Sequence, residues 1–199
     1  MNILELVHES HSLAKEKGFW DQEKNSKEDI MLIIANLGDV IKAYKKKKHS
    51  KWDLFSDSFY NDKPTTLDNF NPEDFNAFIK DSFEDEISNV ILRVTDFIGG
   101  YKIDMAQNHP WIKDCLHVDL NTFFSRVAPS EKYSNNIGDW MNKSIKECVY
   151  NSNEEDHGCL HMLFYLGSII EHFGINIEKH LLYKIAFNKS RPHLYGRSY

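Results

Sequence analysis

Residues 83–105 constrain this chain more than any other stretch. At 100° per residue, Phe83, Ile87, Val90, Ile91, Val94, Phe97, Ile98 and Tyr101 fall on one arc of a helix. Glu86, Asn89, Arg93 and Asp96 form a polar stripe along one edge of that arc. A stripe so placed sits at the rim of a core. It reads either as a solvated edge held by i,i+3 and i,i+4 pairs or as one wall of a polar site. Residues 30–44 repeat the design: Ile30, Ile33, Ile34, Leu37, Val40, Ile41 and Tyr44 are apolar, and Asn36 and Asp39 lie beside them. Two such helices packed core to core gather Asn36, Asp39, Glu86 and Asn89 into one pocket, a geometry suited to a metal and phosphate site inside a bundle.

The rest of the chain is organised around these two helices. Residues 2–17 read as an amphipathic helix with Ile3, Leu6, Val7 and Leu13 inward, stopped by Gly18. Ser26, followed by Asp29, reads as the N-cap of the helix that carries Asn36 and Asp39. The lysines at 45–48 complement a helix C-terminus. Residues 49–72, with turns at Asp62-Lys63-Pro64 and Asn71-Pro72, read as a connection, and Pro72 as the first residue of a further helix. Residues 160–173 are apolar nearly all round and belong to the core. No stretch alternates like a strand, so the expected class is all-α, a helical bundle.

Asn136-Ile137-Gly138-Asp139 restates Asn36-Leu37-Gly38-Asp39 one hundred residues later. The expectation is two repeated helical modules, 1–107 and a degenerate second one at 108–199 with a basic tail, forming an intrachain pseudo-dimer in one unit.

Charge and cysteines narrow the function. A formal net charge of −6 argues against nucleic acid as a partner, although the basic residues at 45–48 and 184–197 suit a small polyanion. Three cysteines outside any CxxC spacing suit a reducing compartment. The first residues carry no basic and apolar leader, and no apolar run is long enough for a membrane, so a cytoplasmic protein is expected. His157 and His161, at i,i+4 beside Glu155 and Asp156, read as a transition-metal pair or as a loop entering a buried helix.

Four segments carry a family resemblance: Lys17-Gly18-Phe19-Trp20-Asp21, Ala35-Asn36-Leu37-Gly38-Asp39, the run from Glu86 through Asn89 and Arg93 to Asp96, and Phe187-Asn188-Lys189-Ser190-Arg191-Pro192 with Tyr195-Gly196-Arg197-Ser198-Tyr199. In that order the chain resembles the MazG-like all-α nucleoside triphosphate pyrophosphohydrolases, particularly the short phage and bacterial type. The resemblance covers 1–107 and 173–199 and implies cleavage of a nucleoside triphosphate to monophosphate and pyrophosphate.

It further implies Mg²⁺, or Mn²⁺, at Asn36, Asp39, Glu86 and Asn89, with Glu86 and Asp39 catalytic. Trp20, Arg93, Asp96, Asn188, Lys189, Arg191 and Arg197 are the implied substrate contacts, with Trp20 either stacking on a base or packing on the bundle. Where the family has four carboxylates this chain has two, since Asn36 and Asn89 replace the others. The leading expectation is therefore a nucleotide-binding protein whose metal affinity and hydrolysis are weak or lost. An active Mg²⁺-dependent enzyme and a scaffold without nucleotide are the alternatives, and a homodimer is left open.

Overall fold

The 3.6-residue periodicity of the central stretch is realised in a computed structural model that describes residues 1–57, 70–101, 113–114, 117–127, 136–150 and 158–196. Among these residues the secondary structure is helical: α1 (Ile3–Glu16), α2 (Ser26–Lys45), α3 (Trp52–Asp57), α4 (Pro72–Phe78), α5 (Phe83–Tyr101), α6 (Leu120–Val127), α7 (Ile137–Tyr150), α8 (Gly158–Phe173) and α9 (Ile177–Ser190), then a 3₁₀ turn at His193–Gly196. The fold is an all-α bundle. The expected continuation of α5 to residue 105, and the site residue Arg197, lie outside the described residues.

The bundle is built on α5, which packs against α1, α2, α8 and α9. Its predicted arc is buried from Phe83 to Ile98, with Tyr101 half-buried. Asp85, Ser88, Leu92 and Thr95 are buried as well, a second face that the apolar arc does not include. Ser88 Oγ donates to the Glu84 carbonyl and Thr95 Oγ1 to that of Ile91, so these hydroxyls are satisfied within the helix. Gly100 is needed for the close approach of Trp20, because a Cβ there would meet the indole at 2.0 Å.

Helix ends follow local chemistry. The Gly18 stop is a Schellman turn: Gly18 N–H donates to the Lys15 carbonyl and Phe19 N–H to that of Ala14, with Gly18 at φ 81°. The N-cap of α2 is one residue earlier than expected: Asn25 Oδ1 accepts from Lys27 N–H, and Ser26 is already helical. Pro72 opens α4 behind its Asn71 cap. The connection expected at 49–72 contains α3, whose Phe55 is buried with Phe75, Ile79 and Phe187 in a second apolar cluster. Asn136 caps α7 by accepting from Gly138 N–H, whereas Asn36 and Asp39 lie in the middle of α2. The two Asn-x-Gly-Asp segments therefore occupy different helical positions.

His180 on α9 sits against the second cluster, 4% exposed, and accepts a 2.9 Å hydrogen bond from Trp52 Nε1 at its Nε2. Burial pushes its pKa down to about 4, with Glu84 opposing the shift and Lys179 adding to it. The folded state thus holds fewer protons than the unfolded chain between pH 4 and about 6.5. The stabilisation is fully present above pH 6.5 and is lost as pH falls toward 4. Urea titrations over this range are expected to show a fall of up to roughly 3 kcal/mol, and His180→Gln is expected to flatten that dependence.

Candidate functional site

The polar edges of α2 and α5 face a cleft of about 400 Å³. From α2 it is lined by Asn36 and Asp39, and from α5 by Glu86, Asn89, Arg93 and Asp96. Lys184 and Asn188 of α9, one turn apart, form the opposite wall with Arg191. Thus Asn36, Asp39, Glu86, Asn89, Arg93, Asp96, Asn188 and Arg191, all named from the sequence, are brought together. Trp20 and Lys189 are not among the lining residues.

At one end Glu86 and Asn89 are joined: Asn89 Nδ2 donates to Glu86 Oε2 at 2.9 Å. Burial, aided by the nearby Asp85 and Asp39 charges, raises the Glu86 pKa, while the Asn89 bond and Lys184 oppose the shift. Asp39 Oδ1 accepts from Lys42 Nζ at 2.8 Å in an exposed pair. The four-residue set Asn36, Asp39, Glu86 and Asn89 does not fit a Mg²⁺ site as it stands. It offers two carboxylates, one engaged by an amide nitrogen and the other by an ammonium, where Mg²⁺ demands oxygens in near-octahedral array.

At the other end Asp96 Oδ1 accepts from Trp20 Nε1 and lies 3.0 Å from His11 Nδ1. Burial raises the Asp96 pKa against these hydrogen bonds. Trp20 packs edge-on to His11 and tilted to Tyr101, so its ring lies against the bundle. Arg93 makes no salt bridge among the described residues, and Asp96, three residues on, is committed elsewhere.

The tail closes the cleft through Lys17. That lysine is 7% exposed, and its Nζ donates to the carbonyls of Lys189 and Arg191 at 2.7 and 2.8 Å. Its own carbonyl accepts from Leu194 N–H. The turn so anchored brings Tyr195 against Phe19 and places the Arg191 guanidinium 3.9 Å from the Tyr195 ring centre. Lys189 points away to Glu9.

Sequence reasoning missed Lys80, Asp81, Phe19 and Tyr195 as lining residues; Lys184, named only within the basic run at 184–197, also lines the cleft and pairs with the buried Asp85 at 2.8 Å. Lys184 was legible, since it lies i−4 from Asn188 on the same helix face. Asp81 was not, because its left-handed backbone (φ 59°) is set by the turn between α4 and α5.

No family model, curated protein or solved structure matches the chain.

Lys17→Met keeps most of the packing volume and removes both charged hydrogen bonds to the end of α9. The expected cost is about 2–3 kcal/mol in chemical denaturation, with faster tryptic cleavage after Lys189 as the tail is released.

Proposed function

We propose that the cleft binds a nucleotide or nucleotide-like small molecule and hydrolyses nucleoside triphosphates weakly or not at all, as a MazG-like protein with substituted ligands would. The observation that carries this reading is the composition of one cavity. Arg93, Lys184 and Arg191 line it together with the carboxamides of Asn36, Asn89 and Asn188, and its volume suits a small ligand. Arg93 is the group best placed to take a phosphate, as a half-buried guanidinium with no salt bridge among the described residues. Phe19 and Tyr195 supply aromatic surface at the same cleft.

Weak hydrolysis follows from the donor set. Phosphoryl chemistry of this class uses paired divalent ions to neutralise the phosphates and acidify water. Asn36 and Asn89 bring no charge, and Asn89 turns its amide toward Glu86. Calorimetric titration of nucleoside mono-, di- and triphosphates is expected to give saturable binding for at least one, weakened by Arg93→Ala. Binding by none of them sinks the reading, and pyrophosphate release at about 1 per second or faster overturns the claim of weak hydrolysis. The Asn36→Glu/Asn89→Asp double variant is expected to bind Mg²⁺ more tightly and to release more pyrophosphate than the wild type. Without metal it is expected to be less stable, since four carboxylates crowd the pocket, and metal should restore it.

We also propose that residues 1–107 and 108–199 act as two modules closed on one another. Supporting this, α2 pairs with α5 and α7 with α8, while α2 packs on α7 and α5 on α8. Residues 1–107 expressed alone are expected to be insoluble or to dimerise through the uncovered apolar face. A well-dispersed monomer in sedimentation overturns the two-module reading.

A further inference from the structure

The outer face of α2 differs from the solvent face of an ordinary amphipathic helix. Glu28, Met31, Ala35, Gly38, Lys42 and Lys45 follow one another at three- and four-residue spacing, the spacing of a coiled-coil seam, and all six are exposed. The middle of that stripe, where long polar side chains are the rule, is Met31, Ala35 and Gly38. Met31 is 61% exposed and its neighbour Leu32 43%, two of the four large apolar side chains left exposed among the described residues. A Cβ at Gly38 would meet nothing within 4 Å, so no other described part of the chain approaches the helix there.

The two ends of the helix carry opposite charge. Residues 21–29 hold four carboxylates against two lysines, and 42–48 hold five lysines and no carboxylate. The chain compensates this charge only in part. Lys24 pairs with Asp29, Lys42 with Asp39 and Lys48 with Asp81, whereas Glu28 and Lys45 make no salt bridge among the described residues. The helix dipole accounts for cations in the last turn. It does not account for an apolar patch between an acidic end and a basic one.

We propose that this face docks against the same face of a second copy of the chain, the two α2 helices running antiparallel about a two-fold axis. Self-docking needs a surface complementary to itself, and an axis between residues 36 and 37 meets that need along the whole stripe. It sets Ala35 against Gly38 of the partner subunit, so the backbones approach where the side chains are smallest. It sets Met31 against the alkyl stem of Lys42 of the partner subunit, and Glu28 against Lys45 of the partner subunit. The acidic start of each helix then faces the basic end of the other, and the helix dipoles run in opposition. An anionic membrane or an acidic peptide would suit the lysines alone and be repelled by residues 21–29. A pair of 20-residue helices buries an area at the small end of the interface range, so the dimer is weak, with Kd on the order of 1–100 μM. Leu32 borders both this face and the cleft, which brings the second copy to the lip of the candidate site. The docking does not rest on the nucleotide reading.

Sedimentation velocity of the full chain over a range of concentrations, without nucleotide, tests the proposal. Wild type is expected to pass reversibly from monomer to dimer, with a Kd that rises as salt is added. Met31→Asp puts a carboxylate in the apolar middle of the face and is expected to weaken association by at least about tenfold. Because Met31 is exposed in the single chain, the fold of that variant is expected to be intact by circular dichroism. Glu28→Lys alone is expected to weaken the dimer, and Glu28→Lys with Lys45→Glu to restore it, a rescue specific to the antiparallel pairing. A wild type that stays monomeric at about 1 mM, a dimer indifferent to Met31→Asp, or a double swap that fails to restore association overturns the proposal.

Discussion

The burial of α5 on nearly every side is the constraint on which the rest of the structure depends. A helix surrounded by α1, α2, α8 and α9 has no solvent face on which to leave polar side chains. Each must find a partner inside, as Ser88 and Thr95 do in backbone carbonyls and Asp85 Oδ2 does in Lys184, or open into a shared cavity. Glu86, Asn89, Arg93 and Asp96 take the second course. The cleft is thus the place where the polar edge of a core helix is allowed to remain wet, and the helices that bury α5 define its walls.

The two amphipathic arcs and the pocket between them were legible because apolar periodicity reports burial directly. Asn36, Asp39, Glu86 and Asn89 do line one cavity, and Arg93, Asp96, Asn188 and Arg191 join them. What periodicity does not report is a buried polar face. Asp85, Ser88 and Thr95 lie off the apolar arc and are buried only because several helices pack around α5. Contacts of long sequence separation are equally silent: Lys17 meets the end of α9 across more than 170 residues. Trp20 shows how a local signal can be read two ways, since its indole is held by Asp96 and the flat surface left by Gly100.

Replacing a carboxylate by its amide changes what the pocket can hold with little change of shape. With Asn89 donating to Glu86, a contact that would be repulsive between two carboxylates becomes a hydrogen bond that requires no metal. An amide at position 89 satisfies Glu86 without a ligand, and it brings no charge that would gather divalent ions. Negative charge is concentrated at the start of α5, where Asp85 and Glu86 are adjacent and the turn brings in Asp81.

The Asp85–Lys184 pair links that charge to the fold. A buried ion pair is weak evidence for stability, because desolvating both groups offsets most of their attraction. Its specificity is a different matter. Lys184 can reach Asp85 only if α9 lies along α5 in one register, and that register also sets Asn188 in the cleft and delivers Arg191 to Lys17. One charged contact therefore fixes where the cationic wall stands relative to the carboxylates of α5. A packed hydrophobic substitute at both positions could hold the helices together equally well. It would leave the sliding position of α9 set by shape alone, and would remove the buried ammonium that pairs with Asp85.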